Sequence, residues 1–197
     1  MSKVVSQLKT VNWNRFFLMV NAVGDQLNDR TLRFLKSIIQ DKGIARMSNG
    51  MIEYVDKIGQ DHQLGNIRIE TKAGTNILTT GKGKPKRAGI TGSVKLNNTL
   101  GSSDGRSLPN TFDYLMLVDT DAVAVAKYQD ILPYVTSNGD GLSVKLPYKV
   151  LEWVVEPGEF NRGLFEDIHQ INVLERLHTM LNEIIDEFDL VESLNDR

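Results

Sequence analysis

Three rhythms of apolar and polar positions run along the 197 residues. Residues 4–23 carry Trp13, Phe16, Phe17, Leu18, Val20 and Val23 at helical spacing, which predicts a helix ended near Gly24. A second helix is predicted over about residues 28–42. Leu32, Leu35, Ile38 and Ile39 share its stripe, Asn28 or Asp29 caps it and Gly43 stops it. Residues 44–50 read as a loop. The rhythm then changes to that of strands: residues 51–58 form one, leading into Asp61. Phe112 to Val118 and Ala122 to Ala126 are nearly continuous apolar runs, expected as core strands joined by a turn at Asp119 and Asp121. Residues 128–135 read as a single helical or 3-10 turn ended by Pro133, and residues 138–141 as a turn. Residues 143–155, interrupted by Pro147, read as edge strand and loop. The last element is a long helix over 164–190, with Leu174, Leu177, Leu181, Ile184, Ile185 and Phe188 on one stripe. The expected fold is α/β (α+β): a mixed central sheet flanked by helices. It forms a single domain over 1–197, with a helical part at 1–43, a hairpin at 51–72, a basic loop at 81–98 and the helix at 164–190.

The hairpin carries the candidate chemistry. Gly65-Asn66 is a two-residue turn signal. With those residues in the turn, Leu64 faces Ile67, Gln63 faces Arg68, His62 faces Ile69 and Asp61 faces Glu70. Alternation puts Asp61, Gln63, Arg68, Glu70 and Lys72 on one face. His62, Leu64, Ile67, Ile69 and Thr71 fall on the other, the expected core side. Two carboxylates then oppose each other with β-carbons roughly 5 Å apart. Like charges so placed need compensation. A divalent cation supplies it, and Mg²⁺ takes carboxylate oxygens. A neighbouring lysine then orients or deprotonates the attacking water, or offsets charge on a phosphate. The plainer alternative is a solvated face on which Arg68 and Lys72 neutralise Asp61 and Glu70. Asp56 rivals Asp61 as the first acid if a bulge at Gly59 brings it near Glu70.

Gly59-Gln60-Asp61-His62 followed by Asn66-Ile67-Arg68-Ile69-Glu70-Thr71-Lys72 resembles the active-site hairpin of the PD-(D/E)XK nuclease superfamily, whose type II restriction endonucleases are of comparable size. Asp61 matches the family's first acid, Glu70 the second and Lys72 the lysine; Gln60 stands where the family pattern has proline. The resemblance implies a restriction-endonuclease-like fold and a Mg²⁺-dependent DNA endonuclease, with Asp61 and Glu70 as metal ligands and Lys72 as the catalytic lysine. The same hairpin would serve a structure-specific nuclease acting at junctions or in repair. A non-catalytic DNA-binding protein is the remaining alternative.

Charge distribution sharpens the expected partner. The net charge is −2, yet residues 71–103 hold no acid and six cations: Lys72, Lys82, Lys84, Lys86, Arg87 and Lys95. Residues 152–197 hold twelve acids and three arginines, so the charge is segregated. The segment containing Lys82, Lys84, Lys86, Arg87, Lys95 and Asn97 is rich in glycine and suits the phosphates of double-stranded DNA. Lys145, Tyr148, Lys149 and Trp153 are further candidate contacts. A homodimer through the C-terminal helix would bring two catalytic hairpins to a symmetric duplex. The Walker A pattern is absent, which disfavours a nucleotide-driven motor. Without cysteine there is no disulfide, thiol nucleophile or Cys-based zinc site. No apolar run spans a membrane and the first residues lack a signal-peptide core, so the expectation is a cytoplasmic protein with no membrane partner.

Overall fold

The computed structural model describes residues 2–26, 40–57, 59–73, 77–78, 94–95, 111–137 and 142–160, and the positions 179, 182, 183 and 186. Over these residues the chain is a mixed α+β fold built on a six-stranded sheet. Its strands are β1 (Glu53–Lys57), β2 (Gln60–Leu64), β3 (Ile67–Ala73), β5 (Tyr114–Val118), β6 (Val123–Lys127) and β9 (Glu152–Val155), lying side by side in that order. β3 and β5 are parallel, and the other neighbours are antiparallel. The short strands β4 (Val94–Lys95), β7 (Val135–Ser137) and β8 (Leu142–Val144) form a second sheet in the order β4-β8-β7.

Alternation along the strands divides the six-stranded sheet into two buried faces. Ile69, Met116, Val118, Val123 and Val125 pack against Val4, Leu8, Phe16, Phe17, Ile44 and Met47 of the N-terminal helices. Leu115, Leu117, Ala124 and Ala126 pack on the other side against Leu78, Phe112, Tyr128, Ile131, Val144 and Leu146. With both faces covered, strands β5 and β6 are apolar at almost every position, as the continuous runs predict. A tight turn joins them, closed by the Asp119 amide donating to Ala122 O at 2.9 Å.

The N-terminal helices differ from expectation. The predicted helix over 4–23 is two helices, α1 (Lys3–Leu8) and α2 (Trp13–Gln26). Asn12 ends the continuity because its side chain accepts the Arg15 amide at 3.2 Å and so caps α2. Its own amide donates to Met47 O, and the Trp13 indole donates to Leu8 O at 2.8 Å across the junction of the two helices. Gly24 lies within α2 rather than ending it. Nor does Gly43 stop the next helix: residues 40–47 are helical through it. A β-carbon at Gly43 would overlap Met19 Cε, so the end of the Met19 side chain lies directly over this glycine. The turn follows at Asn49 and Gly50, both with positive φ. Pro133 likewise sits inside a 3-10 turn, Leu132–Tyr134, that extends the helical turn Tyr128–Ile131.

Of the predicted helix over 164–190, Thr179, Asn182, Glu183 and Asp186 are described. All four are helical and exposed, and Glu183 forms an ion pair with Arg46 at 2.9 Å. Its apolar stripe, and the dimer seam expected there, lie outside the described residues. Among the described residues no helix is long and apolar enough to cross a membrane.

One buried polar group ties the helical layer to the sheet. His62 is fully buried; its Nε2 lies 2.8 Å from Asp41 O and its Nδ1 2.7 Å from Thr71 Oγ1. Burial lowers its pKa to about 4, against smaller opposing contributions from the Asp41 carbonyl and Glu70. The unfolded chain takes up a proton near pH 6.5 that the folded chain refuses until about pH 4. This contribution to stability is therefore complete above pH 6.5 and declines as the pH falls toward 4. Between pH 7 and pH 5 the loss amounts to about 2 kcal/mol. Urea unfolding of wild type and His62→Gln at the two pH values checks this. The wild type should lose that much more than the variant, and equal losses would assign the effect to other groups.

Candidate active site

The hairpin β2–β3 forms in the expected register. Gly65 and Asn66 occupy the turn, with Gly65 at φ +60°, and Leu64 pairs with Ile67, Gln63 with Arg68 and His62 with Ile69. The strand before it differs from expectation. Residues 51–58 do not run straight into Asp61: β1 ends at Lys57, Gly59 takes φ +74°, and β2 turns back to pair with β1 across a bulge. β1, β2 and β3 therefore make a meander. Asp56, the rival first acid, sits on β1, two strand spacings or about 10 Å from β3. Asp61 is on the strand adjacent to Glu70.

The two carboxylates are held differently. Asp61 Oδ2 accepts the backbone N–H of Thr71 at 2.7 Å. Its carboxylate thus reaches diagonally to the amide between Glu70 and Lys72, beyond the last paired residues, His62 and Ile69. Glu70 is only 2% exposed, because it lies in register with Leu115 on the covered face. The Lys72 ammonium makes an ion pair with Glu70 Oε1. The Lys72 side chain is 31% exposed, so its head stands between the buried carboxylate and solvent. A buried carboxylate without a cation would be strongly unfavourable, and Lys72 supplies that cation from two residues along the same strand.

Arg68 is engaged by Asp113 at the start of β5. It forks onto Asp113, donating from its amide at 2.8 Å, from Nε at 3.3 Å and from a terminal nitrogen at 2.9 Å. The pair holds Asp113 below the ordinary carboxylate range and raises Arg68. The Asp113 amide also donates to Arg68 O, so residue 113 fastens the start of β5 beside β3. Sequence reasoning passed over Asp113; an aspartate immediately before an apolar strand was the available signal. Asp119 has a turn role: its oxygens accept the Leu78 and Thr120 amides, each at 2.7 Å.

The basic candidates Lys82, Lys84, Lys86, Arg87 and Asn97 lie outside the described residues. The backbone of Lys95 lies in β4. At the far edge of the sheet Lys145 and Lys149 are exposed, and the Tyr148 and Trp153 rings pack 5.4 Å apart.

Asp61 on β2 and Glu70 on the adjacent β3 offer hard oxygen donors, the donor chemistry of Mg²⁺. Among the described residues no group of three or more His, Cys, Asp and Glu side chains is placed to hold a metal. Two carboxylates suffice where water and substrate phosphate complete the shell, so the donor set fits that ion. No protein-family model, curated protein or solved structure matches the chain.

Lys72→Met removes the ammonium paired with the buried Glu70 and should lower stability by about 2 kcal/mol, below the full range for buried pairs because Lys72 is partly solvated. Adding Glu70→Gln should restore most of that loss. Urea unfolding in EDTA measures both steps. A double variant as unstable as the single one would show that the ion pair is not what offsets the charge.

Proposed function

We propose that the chain is a Mg²⁺-dependent DNA endonuclease of the type II restriction class. The observation that carries this reading is the buried Glu70 carboxylate capped by the Lys72 ammonium, with the Asp61 carboxylate held on the intervening amide. In this reading Asp61 and Glu70 would hold the ion. Bound there, Mg²⁺ would supply Lewis acidity toward a phosphodiester and its attacking water. Lys72 is tethered by Glu70 at the solvent boundary, where its ammonium orients that water or offsets charge on a phosphate oxygen. Water adds at phosphorus, the bond to the leaving sugar oxygen breaks, and that oxygen is protonated. The buried Glu70 also gives a reason for the lysine's position: an ammonium held against a carboxylate is aimed before substrate arrives.

Lys82, Lys84, Lys86, Arg87 and Lys95 supply phosphate contacts, and double-stranded DNA is the partner whose regular charge they suit. A homodimer would place two sites on opposite strands of a symmetric duplex.

Incubation of long mixed-sequence duplex DNA with the protein, in Mg²⁺ and in EDTA, tests the reading. Discrete fragments that require Mg²⁺ and vanish in both Lys72→Ala and Glu70→Gln are expected. A smear would keep the chemistry without sequence specificity. Cleavage confined to four-way junctions would move the substrate to branched DNA. Intact DNA in every arm, junctions included, would reduce the cluster to a structural ion pair.

A further inference from the structure

We infer that His62 and Thr71 are positioning residues for Asp61, His62 fixing the Thr71 strand and the Thr71 amide fixing the carboxylate that receives the metal. The inference rests on the nuclease reading and deepens it. A carbonyl only accepts, so the 2.8 Å contact with Asp41 O places the imidazole proton on Nε2. Nδ1 is then an acceptor, and the 2.7 Å contact draws in the Thr71 hydroxyl proton. The Thr71 amide is directed to Asp61 Oδ2 at 2.7 Å. A chain of three hydrogen bonds therefore runs from the helical residues 40–47, through the sheet, to the Asp61 carboxylate.

The surroundings make this chain unexpected on packing grounds. His62 and Thr71 lie on the sheet face otherwise lined by Leu64, Ile69 and Met116. His62 is 0% and Thr71 5% exposed. A leucine and a valine would fill comparable space with no polar group to satisfy, and replacing both partners of a buried hydrogen bond by apolar groups is close to neutral. What the apolar pair lacks is direction. Hydrogen bonds fix the rotamer of Thr71 and the path of its strand at the residue between Glu70 and Lys72. Partners that orient a metal-binding carboxylate in this way typically contribute about 10–100-fold in metal affinity.

The test separates orientation from packing. Mn²⁺, a paramagnetic stand-in for Mg²⁺ at oxygen ligands, is titrated into the full chain and the free ion followed by electron paramagnetic resonance. Urea midpoints are measured in parallel. Thr71→Val should weaken Mn²⁺ binding about 10-fold or more, and Thr71→Ser, which keeps the hydroxyl, should bind like wild type. The double variant His62→Leu/Thr71→Val should recover the urea midpoint without recovering Mn²⁺ affinity. Affinity that follows the midpoint across these proteins, or a Thr71→Val protein that binds like wild type, would overturn the inference and leave His62 and Thr71 as packing. Should the double variant not fold, the Val and Ser single variants decide alone. A wild type that takes up no Mn²⁺, with Glu70→Gln indistinguishable from it, overturns the nuclease reading itself.

Discussion

A carboxylate inside a sheet needs a cation within reach, and this requirement organises the structure around Glu70. Leu115 lies beside it in register, and the second apolar cluster shares its face. An apolar shell supplies no replacement for the water lost, and a directed charge does. Lys72 meets the need because residues i and i+2 of a strand share a face. The spacing of Glu-x-Lys is thus a consequence of the pleat. The same pleat sends Thr71, the residue between them, to the opposite face, where it meets His62.

The two faces of β3 therefore carry different tasks. One presents the Glu70–Lys72 pair; the other anchors the strand to the N-terminal helices. Asp61 bridges the division, because its carboxylate receives the backbone amide of Thr71. Arg68 and Asp113 settle a separate matter, the alignment of β5 with β3. Lys72 in turn pairs with Glu70, so the two cations of the strand meet acids on different elements.

Local features were the legible ones. The turn at Gly65 and Asn66 and the alternation on either side specify a register within a dozen residues, and that register forms as read. The apolar runs of β5 and β6 announce strands covered on both faces. What was misread depends on partners distant in sequence. Gly43 looks like a helix stop until Met19 is found against it. Asn12 divides one apolar stripe into two helices by capping α2 with its side chain while its amide reaches Met47 O. The pairing of Arg68 with Asp113 joins positions 45 residues apart, which no periodicity reveals. The candidate site was legible in part: the placing of Asp61, Glu70 and Lys72 on two adjacent strands follows from the hairpin. The depth of Glu70 depends on what covers the sheet, and the diagonal reach of Asp61 on where the ladder ends.

The parallel pairing of β3 with β5 has a kinetic consequence. The meander β1–β2–β3 and the pair β5–β6 are closed by short turns, contacts that form early in folding. Joining β3 to β5 instead closes a connection of about forty residues, and loop-closure entropy is lost before any ladder bond is gained. That docking step also buries Glu70, since Leu115 arrives with β5. In the nascent chain the carboxylate and its lysine remain in water, and their charges meet the apolar shell only when the two halves of the sheet come together.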